Sequence, residues 1–300
     1  MVEKSPTTLL GKRERSKSPD SPPPKPLDDS CYTVDGLFRF VKPYNHEFTT
    51  FAKRRWVGQS LLEVFSREFK AFSTNYYTEA IKNGKIRVNG KLVCPNAYKL
   101  KEGDKIVHVT TREETPILAD LPEVIFENDS LIAVNKPSSV PVHPCGNFKF
   151  NSLQYLLEFC LKIKDLKTVH RLDRQTSGIV FFAKNGASSN DFREALLGDK
   201  VSKVYYARVV GDFSTICDEN KETVCKDSIY CESHVDAIMT SCPAHKVPFE
   251  FTSKAKDAFT KFRFLSHKDG QSIVKCYPKT GRTHQIRVHL KSLGFPIAND

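Results

Sequence analysis

An aspartate flanked by two arginines is the chain's strongest chemical signal. In His170-Arg171-Leu172-Asp173-Arg174-Gln175-Thr176-Ser177-Gly178, a partly buried Asp173 would be held ionised by the neighbouring cations. A carboxylate kept in that state serves as a nucleophile or a base. The same residues admit a plainer reading, in which Asp173 caps a turn and its arginines face solvent. The segment falls between a predicted helix and a predicted strand, and loops at element ends commonly hold catalytic groups.

Other chemistries fit these residues less well. Cys242-Pro243-Ala244-His245, taken with His234 and Cys225, suggests zinc. Structural zinc wants two recognisable ligand pairs, and only Cys242 and His245 make one. A zinc deaminase needs His-x-Glu and Pro-Cys-x-x-Cys, where this chain has His234-Val235-Asp236 and a single cysteine. No metal is therefore expected. Ser177 near His170 has no third member and no nucleophile elbow, so it is no triad. His143, His170, His284 and His289 are expected to brace loops rather than move protons. No G-x-G-x-x-G or Walker-type loop occurs, and no cofactor is expected.

The elements that must position Asp173 follow from periodicity. Leu153, Leu156, Leu157 and Leu161 recur at helical spacing behind Ser152, a plausible N-cap. Val124–Phe126 and Leu131–Val134 flank the turn residues Asn128-Asp129 as two short strands. Further strands are predicted at Ile179–Ala183, Val204–Val210, Phe259–Leu265 and Ile273–Cys276, the last two joined through Asp269-Gly270. Strands outnumber helices, which predicts an α+β fold with a mixed, mostly antiparallel sheet and flanking helices. Residues 214–248 read as a variable insertion.

Upstream, Leu61, Leu62, Phe65 and Phe69 predict one short helix, and Tyr77, Ala80 and Ile81 a second. Ile86 and Val88 lead to Asn89-Gly90, a hairpin signal, with a return strand expected through Leu92. Gly103-Asp104 turns the chain into Ile106–Val109. Residues 1–30 are rich in proline, serine and mixed charge, a composition that predicts a disordered tail. The Lys12-Arg13-Glu14-Arg15 run there reads as a solvated charge cluster in preference to a nuclear signal. The division expected is tail and linker over 1–45, a small α+β domain over 46–112 and a larger domain over 113–300.

Charge supports that division. The 300-residue chain has a formal charge of +11, and 46–112 holds thirteen basic and six acidic residues, a net of +7. Charge so concentrated suits a phosphate backbone, whose neutralisation releases counterions. A solvated basic face would look the same. Arg54, Arg55, Lys85, Arg87 and Lys91 are the candidate contacts, while Trp56 beside them reads as a packing anchor. Nine cysteines without regular spacing read as reduced thiols. No run reaches the roughly 18 apolar residues of a membrane helix, and no apolar leader opens the chain. A soluble protein of the cytoplasm or nucleus, or of mitochondria, is expected.

Four ordered segments carry a family resemblance. "HRLDRQTSGIVFFAKN" (170–185), "VNKPSSVPVH" (134–143), "KVYYARVVG" (203–211) and "KTGRTHQIRVHL" (279–290) resemble the motifs of RluA-type pseudouridine synthases. The match spans about 124–300. "IKNGKIRVNGKLV" and "LKEGDKI" make 57–110 similar to the S4 RNA-binding domain. The resemblance implies isomerisation of uridine to pseudouridine in RNA after base flipping, with Asp173 as the catalytic carboxylate. It implies Tyr205 as the residue stacked on the flipped uracil and Arg287 as the basic partner of Asp173. Arg171 would fill the vacated place in the RNA stack, and Lys136 of the Asn-Lys-Pro motif would contact RNA.

"KRRWVGQSLLEVFSREF" is similar to eukaryotic members of the family, fungal tRNA pseudouridine synthases among them, which favours transfer RNA and its anticodon loop; ribosomal RNA is the alternative substrate. By the same resemblance the enzyme works without metal, cofactor or membrane, and as a monomer. Phe295–Asp300 looks like the middle of a longer family motif, so the sequence reads as a fragment. Two other functions stay open: an RNA-binding or RNA-folding module with little catalysis, and a hydrolase that releases free uracil.

Overall fold

The structure, a computed structural model, describes residues 31–69, 71–198, 200–217, 221–233 and 238–300. The predicted tail 1–30 with its Lys12–Arg15 run, and the metal candidate His234 with its neighbours Val235 and Asp236, lie outside the described residues.

Residues 31–45, read above as linker, are built into sheets. Strands β1 (Tyr32–Asp35) and β2 (Phe38–Val41) pair as an antiparallel hairpin, followed by β3 (Tyr44–Phe51). The physical reason is alternation: Phe38 and Phe40 face out while Arg39 and Val41 are buried, and the Arg39 guanidinium donates to the Ala119 carbonyl at 2.7 Å. The Tyr32 hydroxyl, 118 residues away in sequence, donates to the Phe150 carbonyl.

Helices α1 (Leu61–Glu68) and α2 (Thr74–Lys82) stand where periodicity places them. Ser60 and Glu63 close a capping box: the Glu63 N–H donates to Ser60 Oγ at 3.2 Å, and the Ser60 N–H donates to the Glu63 carboxylate at 2.7 Å. Strand β4 (Ile86–Val88) ends in the predicted turn, with Asn89 and Gly90 at φ of 51° and 77°. The return strand does not form. After a single bridge from Val88 to Lys91 the chain leaves the sheet, leaving Leu92 exposed, and Pro95 lacks the N–H a ladder needs. Strand β4 pairs instead with β5 (Lys105–Arg112), the centre of the sheet β3-β5-β4. Trp56, Leu61, Phe65, Tyr77, Ile81 and Ile106 form the core of this unit.

The boundary near residue 113 is stitched from both sides. Strand β6 (Ile117–Leu118) pairs with β2, and the buried Glu114 carboxylate accepts from Tyr44 Oη at 2.7 Å and from the N–H groups of Lys149, Phe150 and Asn151. Beyond it lie β7 (Glu123–Glu127), β8 (Leu131–Lys136), α3 (Leu153–Cys160), β9 (Lys167–Thr168), β10 (Gly178–Ala183) and α4 (Gly186–Leu197). They make a four-stranded sheet in the order β7-β8-β10-β9. Ser152 precedes α3 as expected but does not cap it through its hydroxyl, which donates to the Lys149 carbonyl at 2.6 Å. Leu156 and Leu157 of α3 and Val180 and Phe182 of β10 are fully buried in one core; each contributes roughly 1.5–3 kcal/mol.

A second four-stranded sheet, in the order β11-β16-β15-β12, comes from β11 (Tyr205–Val210), β12 (Thr223–Cys225), β15 (Thr260–Lys268) and β16 (Gln271–Pro278). Between them β13 (Ser228–Ser233) and β14 (Ile238–Cys242) form a hairpin, and α5 (Gln285–Ser292) follows. The region read as an insertion thus supplies an edge strand and a hairpin. Every pairing of named strands among the described residues is antiparallel, in accord with the predicted α+β architecture. Among the described residues no helix is long and apolar enough to cross a membrane.

Candidate active site

The loop between β9 and β10 presents Asp173, so a two-residue strand, and not a helix, precedes the segment. The Thr176 N–H donates to the Asp173 carbonyl at 3.1 Å and closes a tight turn. Gly178, at φ of 120°, leaves that turn in a conformation that L side chains rarely adopt, which is why glycine stands where β10 begins.

Two bonds from the 136–140 loop hold this turn. Lys136 is fully buried, and its ammonium donates to the carbonyls of Pro137 at 2.9 Å, Val140 at 2.7 Å and Arg174 at 3.1 Å. Ser138 Oγ donates to the Gln175 carbonyl at 2.8 Å. The expectation that Lys136 contacts RNA is therefore corrected, because all three of its donors are consumed by backbone oxygens away from solvent. Burial pushes the Lys136 ammonium down to about 8, with Arg174 adding to the shift and the Asp173 carboxylate opposing it.

Tyr205 opens β11 opposite Cys276 of β16 and packs against the cores of both large sheets. Burial, and after it the Asp173 carboxylate, raises its phenol. Lys136, bonded to the Arg174 carbonyl, and Tyr205, packed on the core that includes Leu172, thus bring three of the four sequence motifs together around the Asp173 turn. A neutral phenol beside a carboxylate can stack on a planar base and take part in proton transfer.

Arg287, on α5, is differently placed from the expectation. Its guanidinium is paired with the Asp300 carboxylate, not with Asp173. The cause is the path of residues 296–298, which run along β11: Val210 N–H donates to the Pro296 carbonyl and Ala298 N–H to the Arg208 carbonyl, bringing Asp300 to α5. Arg171 is exposed. Arg174 lies over the Phe148 ring at 5.5 Å.

Two of the four histidines brace the structure as expected. His170 Nε2 accepts from the Phe181 N–H at 2.9 Å, and its ring stacks on Phe192. Burial, with a smaller contribution from Lys203, pushes it down to about 4. His289 bonds Thr260 Oγ1 and the Asp227 carbonyl. Lys203 was missed by the sequence reading; its ammonium donates to the carbonyls of Lys279 at 3.4 Å and Thr280 at 3.5 Å, so it lies between the His170 loop and the 279–283 loop. Among the described residues no group of three or more His, Cys, Asp or Glu side chains is placed to hold a metal.

The candidate RNA contacts of the small domain divide. Arg54, Lys85, Arg87 and Lys91 are exposed. Arg55 is bound bidentately by Glu68 and lies over Trp56, so its charge is already matched. Trp56 itself is 1% exposed, which makes it the packing anchor expected.

Comparison with known proteins places the arrangement. Residues 130–292 match the family model described as RNA pseudouridylate synthase. Pseudouridylate synthase RPUSD2 of Mus musculus is 38% identical over 91% of this chain and 46% of its own length. The mitochondrial tRNA pseudouridine(32) synthase of Saccharomyces cerevisiae is 38% identical over 89% of this chain and 55% of its own length. The tRNA pseudouridine(31) synthase of the same yeast is 35% identical over 90% of this chain and 72% of its own length. The chain spans about half the length of the first two of these relatives.

Proposed function

This chain belongs to the RNA pseudouridylate synthase family, and from that premise we propose that it converts uridine to pseudouridine in structured RNA, with transfer RNA as its substrate. The observation that carries the reading is that Lys136 and Ser138 hold the Asp173 turn through the Arg174 and Gln175 carbonyls while Tyr205 packs on the core that includes Leu172 of the same turn.

The reaction breaks the bond between the sugar C1′ and uracil N1, turns the base, joins C1′ to C5, removes the C5 proton and leaves a proton on N1, the two proton changes cancelling. Nothing is gained or lost overall, so the chemistry asks only for a shielded pocket, a fixed carboxylate and a proton acceptor. The target nucleotide is flipped out of the stack, and Arg171 takes its place, its guanidinium plane stacking on the neighbouring bases. Asp173 faces the anomeric carbon, as nucleophile or as the charge that stabilises the parted sugar. Tyr205 holds the uracil ring. Arg287 is the cation opposing Asp173, a role that requires it to exchange Asp300 for Asp173 when RNA binds. The region 46–112 acts as an S4-like RNA-binding domain through Arg54, Lys85, Arg87 and Lys91, and 113–300 as the catalytic domain.

Transfer RNA is favoured because two relatives carry it in their names. Mapping of pseudouridine by carbodiimide chemistry and mass spectrometry, on transfer RNA and ribosomal RNA incubated with the chain, tests this. A modified uridine in the anticodon arm of transfer RNA is expected. Modification confined to ribosomal RNA overturns the substrate, and release of free uracil overturns the reaction.

A further inference from the structure

The hairpin β13–β14, the 254–256 segment and the 281–283 loop line an open cleft of about 560 Å³ whose lining includes none of Asp173, Tyr205 and Arg287. Its volume lies within the roughly 300–1,000 Å³ usual for ligand sites. Ile229 and Tyr230 are buried and, with Met239, give it an apolar floor; Tyr230 is fixed by stacking on Phe251 with centroids 4.9 Å apart. Lys254, Lys256 and Arg282 are exposed around it, and none of the three forms an ion pair among the described residues. Arg282 Nε is spent on the Asp257 carbonyl at 3.0 Å, which orients the guanidinium, and the nearby Asp257 carboxylate accepts from Ser228.

The cleft is joined to the active site by structure and by charge. Ser241 of β14 donates to the Val288 carbonyl of α5, the helix that carries Arg287. Lys203, whose charge reaches His170 in the Asp173 loop, is bound to the carbonyls of Lys279 and Thr280, one and two residues before the cleft wall at Gly281. Lys203 thus sits against the loop that carries Arg282, and Arg282 shares one cleft with Lys254 and Lys256. An apolar, aromatic floor under a cationic rim suits a nucleobase with its phosphates.

We infer that this cleft is a second RNA subsite, which holds an unpaired nucleotide of the substrate outside the target uridine, its base against Met239 and its phosphates on Lys254, Lys256 and Arg282. The inference rests on the reading of the substrate as RNA. It gives the β13–β14 hairpin a task, the selection of RNAs that present an unpaired nucleotide at the right distance from the flipped one.

The test measures affinity of the full chain for a transfer RNA transcript across a range of salt concentrations. Lys254→Ala with Lys256→Ala should weaken binding roughly tenfold and lower the salt slope by about 1.4, the value for two contacts to single-stranded phosphates. Met239→Trp, which fills the cleft at unchanged charge, should weaken binding while keeping the parent's slope. Parent-like affinity and slope in both variants overturn the subsite. The two readings fail separately: a parent chain that forms no pseudouridine in any RNA sinks the proposed reaction, whereas an active parent with indifferent variants sinks the subsite alone.

Discussion

Single residues set the state of the Asp173 turn, and Lys136 is the main one. Its ammonium is the shared donor of three carbonyls, one of them in the turn itself. Lys136→Met removes a desolvated charge but strands those oxygens, for a net loss of about 2 kcal/mol in stability. Activity should fall much further than stability, because Arg174 and with it Asp173 lose their anchor; urea unfolding and single-turnover kinetics check the two effects. His170 gives a pH signature. Its folded value near 4 lies below its ordinary 6.5, so between those values the unfolded chain binds a proton that the folded one refuses. Stability therefore falls as pH drops from 6.5 to 4, by up to about 3 kcal/mol from this residue. His170→Gln should show a shallower acid limb in unfolding titrations; an identical limb contradicts the assignment. The sequence named Asp173 and Tyr205 because their motifs are local. It misassigned Lys136, whose ammonium is consumed by two carbonyls of its own loop and one in a turn 38 residues away, and it could not foresee that the backbone path of 296–298 gives Arg287 to Asp300.

At the scale of elements, helices and strands with strong periodicity were legible: α1, α2, α3, β7, β8, β10, β11, β15 and β16 all lie where spacing of apolar residues put them. Two kinds of element were not. Short strands such as β1, β2 and β6 carry too few residues for a strong pattern: β1 and β2 form a local hairpin, and β6 exists because it finds β2, some 80 residues away, as its partner. The strand expected at Leu92 failed because its apolar residue had no buried face to meet. Glu114 had no sequence signal, yet it ties β3, β6 and the approach to α3 through four bonds. In Glu114→Gln one carboxylate oxygen becomes a donor facing N–H or O–H donors, at a cost of about 3 kcal/mol. Chemical denaturation measures the loss, and hydrogen exchange should place the loosening at 149–151 and at Tyr44.

For the whole molecule, the excess charge of 46–112 suits a polyanion, and the two large antiparallel sheets meet where Tyr205 packs into both cores. Composition revealed the first of these features but not the second, since the meeting of two sheets depends on contacts between strands far apart in the chain. The proposed function stands or falls with Asp173 as the residue that isomerises uridine in RNA. Its most direct test is pseudouridine formation in transfer RNA by the parent chain and by Asp173→Asn, with RNA binding measured alongside. The expected result is pseudouridine with the parent, a loss of at least about 1,000-fold with the variant and nearly equal binding. Pseudouridine formed at parental rate by Asp173→Asn would contradict it.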